Sequence, residues 1–152
     1  MLTAQWTIAA ITAIFVAAVA FLQWRTAQQK AVLDLFDRRH AIYEIVRKAV
    51  GTVASNSTAF DQAREVEYMQ AMEDAYFFFG DDVEKYLRQL WKDIVDVQTA
   101  LMELQATLDN DTRRKILEKR NAAMTRIMRF QTDGVPLFAR YMRFSQTVPA
   151  SL

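Results

Sequence analysis

The chain has 152 residues, with 19 lysines and arginines set against 18 aspartates and glutamates, a single histidine and no cysteine. Without cysteine there is no disulfide framework, thiolate metal site, iron–sulfur cluster or cysteine nucleophile, and a lone His40 excludes zinc sites needing two or three imidazoles and the paired Glu-x-x-His motif of di-iron bundles. The balanced charge and the lack of a recognisable DNA- or RNA-binding motif argue against a nucleic-acid partner.

Residues 6–22 form one apolar run, with Trp6 at its start and Trp24 and Arg25 just past its end. At about 1.5 Å of rise per residue, the two tryptophans are roughly 27 Å apart, close to the hydrocarbon thickness of a bilayer. Tryptophan favours both membrane interfaces, so Trp6, Trp24 and Arg25 are the expected interface residues. A cleavable signal peptide could use Ala18-Val19-Ala20 as its cleavage site, but the five residues before the run carry no basic side chain. Arg25, Lys30, Arg38 and Arg39 all follow the run, which predicts the N-terminus outside and the body in the cytoplasm. The expected organisation is a transmembrane anchor over 1–24 and one domain over 25–152, with the lipid bilayer as the first partner. That domain is long enough for one small core and not for two. Ala9, Ala10, Ala13, Ala17, Ala18 and Ala20 are small enough for close approach of a second helix within the membrane.

Glycine occurs three times and proline twice, which is too little punctuation for strands and hairpins. Val32, Leu35, Phe36, Ile42, Tyr43, Val46 and Val50 recur at three- and four-residue steps, so the first helix is expected to continue as a stalk from near Thr3 to near Val50. Gly51 and the polar stretch after it predict a break. A second helix is expected after Ser57 or Thr58, with Thr58 and Asp61 at capping-box spacing. Its apolar face would run through Phe60, Ala63, Val66, Met69, Met72 and Tyr76, and Gly80 would provide a left-handed C-terminal cap. Asp81 would cap a third helix whose heptad seam reads Val83, Leu87, Leu90, Ile94, Val97, Leu101, Leu104 and Leu108. A fourth helix is expected from about Thr112 to Gln131, burying Ile116, Leu117, Ala123, Met124, Ile127 and Phe130. A short fifth helix with Leu137, Phe138, Tyr141, Met142 and Phe144 would plug one end, and 148–152 would fray. The fold class is thus all-α: a transmembrane helix continuing into a stalk, then a small cytoplasmic antiparallel helical bundle. The seam on helix three serves packing within the chain or between two copies.

Charge is segregated along the sequence: +3 over residues 25–48, −9 over 49–111 and +7 over 112–152, which together make the +1 of the whole chain. Acidic helices two and three would attract basic helix four, so complementarity within the chain is one reading. The other is a basic face for a partner or anionic lipid, formed by Arg113, Arg114, Lys115, Lys119, Arg120, Arg126 and Arg129; each basic residue near such a surface adds about 1 kcal/mol. Asp37 and His40 share a helix face without a placed nucleophile. The acidic Asp81, Asp82 and Glu84 suit a helix N-terminus better than a metal site. No Gly-rich phosphate loop or Gly-x-Ser-x-Gly elbow occurs. We therefore expect no catalysis, no cofactor and no metal, and no small-molecule substrate is evident.

Two stretches stand out: Leu33-Asp34-Leu35-Phe36-Asp37-Arg38-Arg39 followed by Tyr43, and Tyr76-Phe77-Phe78-Phe79-Gly80-Asp81 leading to Tyr86-Leu87. With Gln23 to Lys30, they resemble a group of uncharacterised bacterial single-span membrane proteins sharing an anchor, a juxtamembrane Leu-Phe-Asp-Arg-Arg helix and a Phe-x-Phe-Gly turn opening the next long helix. The resemblance implies a bacterial inner-membrane location and carries no activity. Phe36, Arg39 and Tyr43 are candidate contacts for a neighbouring helix. Among the four successive aromatics, Phe77 and Phe78 are candidates to remain exposed for a partner. The expected function is a membrane-anchored interaction or scaffold protein, an accessory subunit of a larger complex, acting through a protein partner or self-association. The alternative is a membrane-tethered signalling or stress-response component with a self-associating stalk.

Overall fold

The computed structural model describes residues 2–56 and 61–143, with side chains from Phe15 to Ser55 and from Asp61 to Arg143. It contains five α-helices, with no strand among the described residues: α1 (Leu2–Asn56), α2 (Gln62–Phe78), α3 (Asp81–Ala106), α4 (Asn110–Met128) and, after a 3-10 turn at Arg129–Gln131, α5 (Gly134–Met142). The chain divides into two compact units, Met1–Asp37 and Arg38–Leu152, and the hydrophobic core belongs to the second.

Within the first unit, α1 carries the apolar run. Trp6, Ala9, Ala10 and Ala13 have side chains outside the described residues, whereas Phe15, Phe21, Leu22, Trp24 and Arg25 are exposed. Among the described residues no helix is long and apolar enough to cross a membrane. The segment expected to cross the membrane is helical, as part of α1, but its expected role as a span is not supported by the described residues.

The expected break at Gly51 does not occur. Val53 is buried in the core, and the hydroxyls of Thr52 and Ser55 donate to Lys48 O and Gly51 O at 3.0 and 2.7 Å, so the helix continues through the glycine to Asn56. Burial of Val53 offsets the glycine's cost of about 1 kcal/mol. Asp61, not Thr58, caps α2: its carboxylate accepts from Arg64 N–H at 2.9 Å, while Thr58 and Phe60 lie outside the described residues. The expected apolar face of α2 is also revised. Tyr68, Ala71, Met72 and Ala75 are buried, and Ala63, Val66, Met69 and Tyr76 are exposed. Apolar residues lie on every side of this helix, so period alone does not choose the inner face. Tyr68 decides it by entering the core, where its hydroxyl donates to Leu87 O at 3.0 Å and its ring stacks 5.2 Å from Trp91.

Gly80 adopts extended dihedrals (φ −87°, ψ 170°) as the N-cap of α3, so the left-handed cap and the Asp81 cap are both corrected. Along the heptad seam of α3, Val83, Leu87, Leu90, Ile94 and Val97 are buried, Leu101 and Leu104 are half-buried, and Leu108 is 94% exposed beyond the helix end. The seam thus packs within the chain over its first two thirds. α4 begins at Asn110, capped by Asp109, whose carboxylate accepts from Thr112 N–H at 2.9 Å. It buries Ile116, Ala123 and Ile127 against α3, with Phe130 buried just after it. Leu117 and Met124 fall at the edge of that face, and Leu117 stays exposed. In α5, Phe138 is buried while Leu137, Tyr141 and Met142 are half-buried; Phe144 and 148–152 lie outside the described residues.

Candidate interaction site where helix ends converge

Arg39, on the core-flanking side of α1, reaches the ends of two other helices. Its Nε donates to Phe78 O and its Nη1 donates to Tyr141 O, both at 2.7 Å. Phe78 closes α2 and Tyr141 is next to last in α5, so both carbonyls belong to the final turns that lack intrahelical partners. A cation is favourable there, because the carbonyl dipoles of a helix sum to a negative C-terminus. The guanidinium also lies 5.7 Å from the ring centroids of Phe79 and Tyr141, and Arg38 sits 5.6 Å from that of Phe78. The two stretches singled out in the sequence therefore meet in space, joined by α5.

The ring of Phe79 is edge-on to Phe138 at 5.2 Å and to Tyr141 at 5.5 Å. Tyr43 stacks 6.2 Å from Phe130 and meets Phe138 edge-on at 5.4 Å. Tyr141 donates its phenol hydrogen to Asp82 Oδ1 at 2.7 Å, and this bond to the carboxylate raises the phenol's pKa. A Cβ on Gly80 would lie 2.3 Å from Tyr141 Oη, so glycine is needed here for close approach and not for a left-handed backbone. This arrangement holds the bundle end together: Arg39, Tyr43 and Phe79 are occupied by contacts within the chain.

The adjacent surface is different. Tyr76 and Phe77, edge-on at 5.2 Å, are 63% and 76% exposed on the last turn of α2, next to half-buried Phe78. Met69 and Val66 are exposed about two and three turns earlier on the same helix, interspersed with exposed Glu65, Glu73 and Asp74. Phe36 is half-buried.

Of the basic residues expected to form a face on α4, Arg113, Lys119 and Arg126 are spent on α3. Arg113 Nη1 donates to Leu104 O and Thr107 O at 2.8 and 3.0 Å, capping the end of α3. Lys119 pairs with Asp96 at 3.5 Å. Arg126 donates from Nε to Asp93 Oδ1 at 2.9 Å and from Nη2 to the same oxygen at 2.8 Å, and Gln89 Nε2 adds a third bond at 3.2 Å. Asp93 is 3% exposed, so this pair replaces water around a buried carboxylate. The sequence offered one clue to it, an aspartate beside the seam of an acidic helix and an arginine beside the apolar face of a basic one. Arg114 and Lys115 are exposed, with Arg114 3.7 Å from Asp111 in its own helix, and Arg120 is half-buried. The remaining basic surface is therefore smaller than the charge sum suggests.

His40 is exposed, its ring 6.3 Å from that of Tyr43, and Asp37 is exposed as well. Among the described residues no group of three histidines, cysteines, aspartates or glutamates is placed to hold a metal ion. No family model, curated protein or solved structure matches this chain.

Proposed function

We propose that this protein is a membrane-tethered interaction module, an accessory or scaffold protein that holds a protein partner at the cytoplasmic face of a bacterial inner membrane and performs no chemistry of its own. The observation that carries the reading is the exposed Tyr76–Phe77 pair beside a convergence of helix ends in which the neighbouring aromatics are packed away. Large exposed aromatics are costly in water and are enriched at interface anchors. The hydrogen bond from Arg39 to the adjacent Phe78 carbonyl supports a preorganised end of α2 beneath that pair. Tethering is supported by the apolar run at 6–22, its flanking tryptophans and the basic residues that follow it.

The test is gentle extraction of the full-length protein from its native membrane, native mass measurement, and identification of co-purifying subunits, repeated with Tyr76→Ser/Phe77→Ser. A stoichiometric foreign subunit that is lost from the variant is the expected result. A partner-free species, or a partner retained by the variant, overturns the reading. A reporter fused at Leu152 that is active only outside the cytoplasm overturns the orientation.

A further inference from the structure

Away from the aromatic convergence, α1 and α2 leave a cleft of about 340 Å³ between their facing turns, lined by Lys48, Gly51, Thr52, Ser55, Arg64 and Glu67. Buried Ala49 and half-buried Ile45 supply the apolar part of its wall. The volume falls at the small end of the range for ligand sites, of order 300–1,000 Å³.

The chemistry of the lining is specific. Lys48 makes no ion pair among the described residues, and Arg64 has only a loose one, 3.8 Å from Asp61 in its own first turn. Two cations thus border one small space together with the carboxylate of Glu67, while Asp61 lies beside Arg64 and Glu44 feels the charge of Lys48. The hydroxyls are already committed as donors, Thr52 to Lys48 O and Ser55 to Gly51 O. Arg64 donates from Nη1 to Thr52 Oγ1, a bond between two residues that line the cleft. The hydrogen-bond donors left for a ligand are therefore the ammonium and the rest of the guanidinium fork, a combination suited to tetrahedral oxyanions.

Gly51 adds a second, independent observation. A Cβ there would meet nothing within 4 Å, so packing does not require the glycine even though it weakens the helix. What the missing side chain does is lower the cleft wall and leave the α1 backbone approachable.

We propose that this cleft binds the phosphate group of a small hydroxylated molecule, with Lys48 and Arg64 holding the phosphate and Glu67 accepting from a hydroxyl. The same chemistry is offered by a soluble phosphomonoester and by a phospholipid headgroup. The site is independent of the aromatic surface, so its failure would leave the proposed partner interaction untouched.

Isothermal titration of the full-length protein in neutral detergent micelles with inorganic phosphate and glycerol phosphate tests the proposal. Saturable binding is expected, tighter for glycerol phosphate, and weakened at least tenfold by Lys48→Gln or Arg64→Gln. Both residues are exposed, so these variants retain the fold. Gly51→Leu should block binding by filling the cleft. Micelles doped with lysophosphatidic acid separate the sources: competition with glycerol phosphate identifies a lipid headgroup, and its absence identifies a soluble ligand. No saturable binding from either source, or binding unchanged in the Lys48 and Arg64 variants, overturns the proposal.

Discussion

Arg39→Ala removes a side chain that links the ends of α2 and α5 to α1 by hydrogen bonds. Two bonds from a charged donor contribute about 1.5–3 kcal/mol each. The lower figure is appropriate here, because Arg39 is only half-buried and water can reach the carbonyls once it is gone. The ring contacts with Phe79 and Tyr141 add about 0.5–1 kcal/mol each. The expected loss is therefore about 4–5 kcal/mol, a large fraction of the roughly 5–15 kcal/mol that holds a domain folded. Arg39→Lys keeps the charge but not the planar fork, so it should lose about half as much. Urea unfolding followed by Trp91 fluorescence, in a Trp6→Phe/Trp24→Phe background, reads the core directly because Trp91 stacks on buried Tyr68. A lower midpoint with an unchanged slope is the expected signature. A loss below about 1 kcal/mol for Arg39→Ala, or a lysine variant as stable as wild type, would refute the reasoning that this arginine fixes the helix ends.

The two remaining predictions use the same unfolding assay. Gly134→Ala places a Cβ 2.6 Å from a Phe130 ring carbon and 2.8 Å from Tyr86 Oη, so it should destabilise by about 1–3 kcal/mol. Gly51→Ala, with open space around the new methyl, should be neutral or stabilise by up to about 1 kcal/mol; equal effects at both sites would contradict this packing. At alkaline pH, burial raises the phenol pKa of Tyr68 and pushes that of Tyr86 up to about 12. Unfolded phenols ionise near about pH 10, so the stability from these neutral folded phenols is complete below that value and declines as pH rises above it. The decline due to Tyr86 ends near its folded pKa of about 12. Tyr68→Phe should flatten the loss measured by urea midpoints above about pH 10, and an equally steep loss in that variant would show that Tyr68 is not the titrating group.

Much of the helical architecture can be read from residue order because it follows from local constraints. The heptad seam of α3 is written in leucine, isoleucine and valine at fixed spacing, and Val83 through Val97 are buried as that spacing requires. The caps at Asp61 and Asp109 are equally local, since each carboxylate accepts from an N–H three residues on, yet neither is the expected one: the sequence pattern puts the capping box at Thr58 and the start of α4 at about Thr112. The prominence of the Asp-Arg-Arg and aromatic-glycine stretches was also visible, although not that they touch: Arg39 and Tyr141 are separated by 102 positions, and no local pattern encodes such a meeting.

Tertiary structure decided the rest, where several local outcomes had similar free energies. α2 has apolar residues on every side, and burial of Tyr68 with its hydroxyl satisfied selected Ala71 and Ala75 for the interior over Val66 and Met69. Gly51 could break a helix or sit within one, and the buried Val53 two residues later carried the helix onward. The charge sum could not distinguish a free basic face from one spent on α3, because that depends on which side of α4 turns inward to Asp93, Asp96 and the end of α3. Sequence alone determined most of the helical segments, though not the extension of α1 through Gly51 to Asn56, and which charges each carries. Only the packed structure determined which faces are used up within the chain, because that choice depends on side chains distant in sequence competing for the same buried volume.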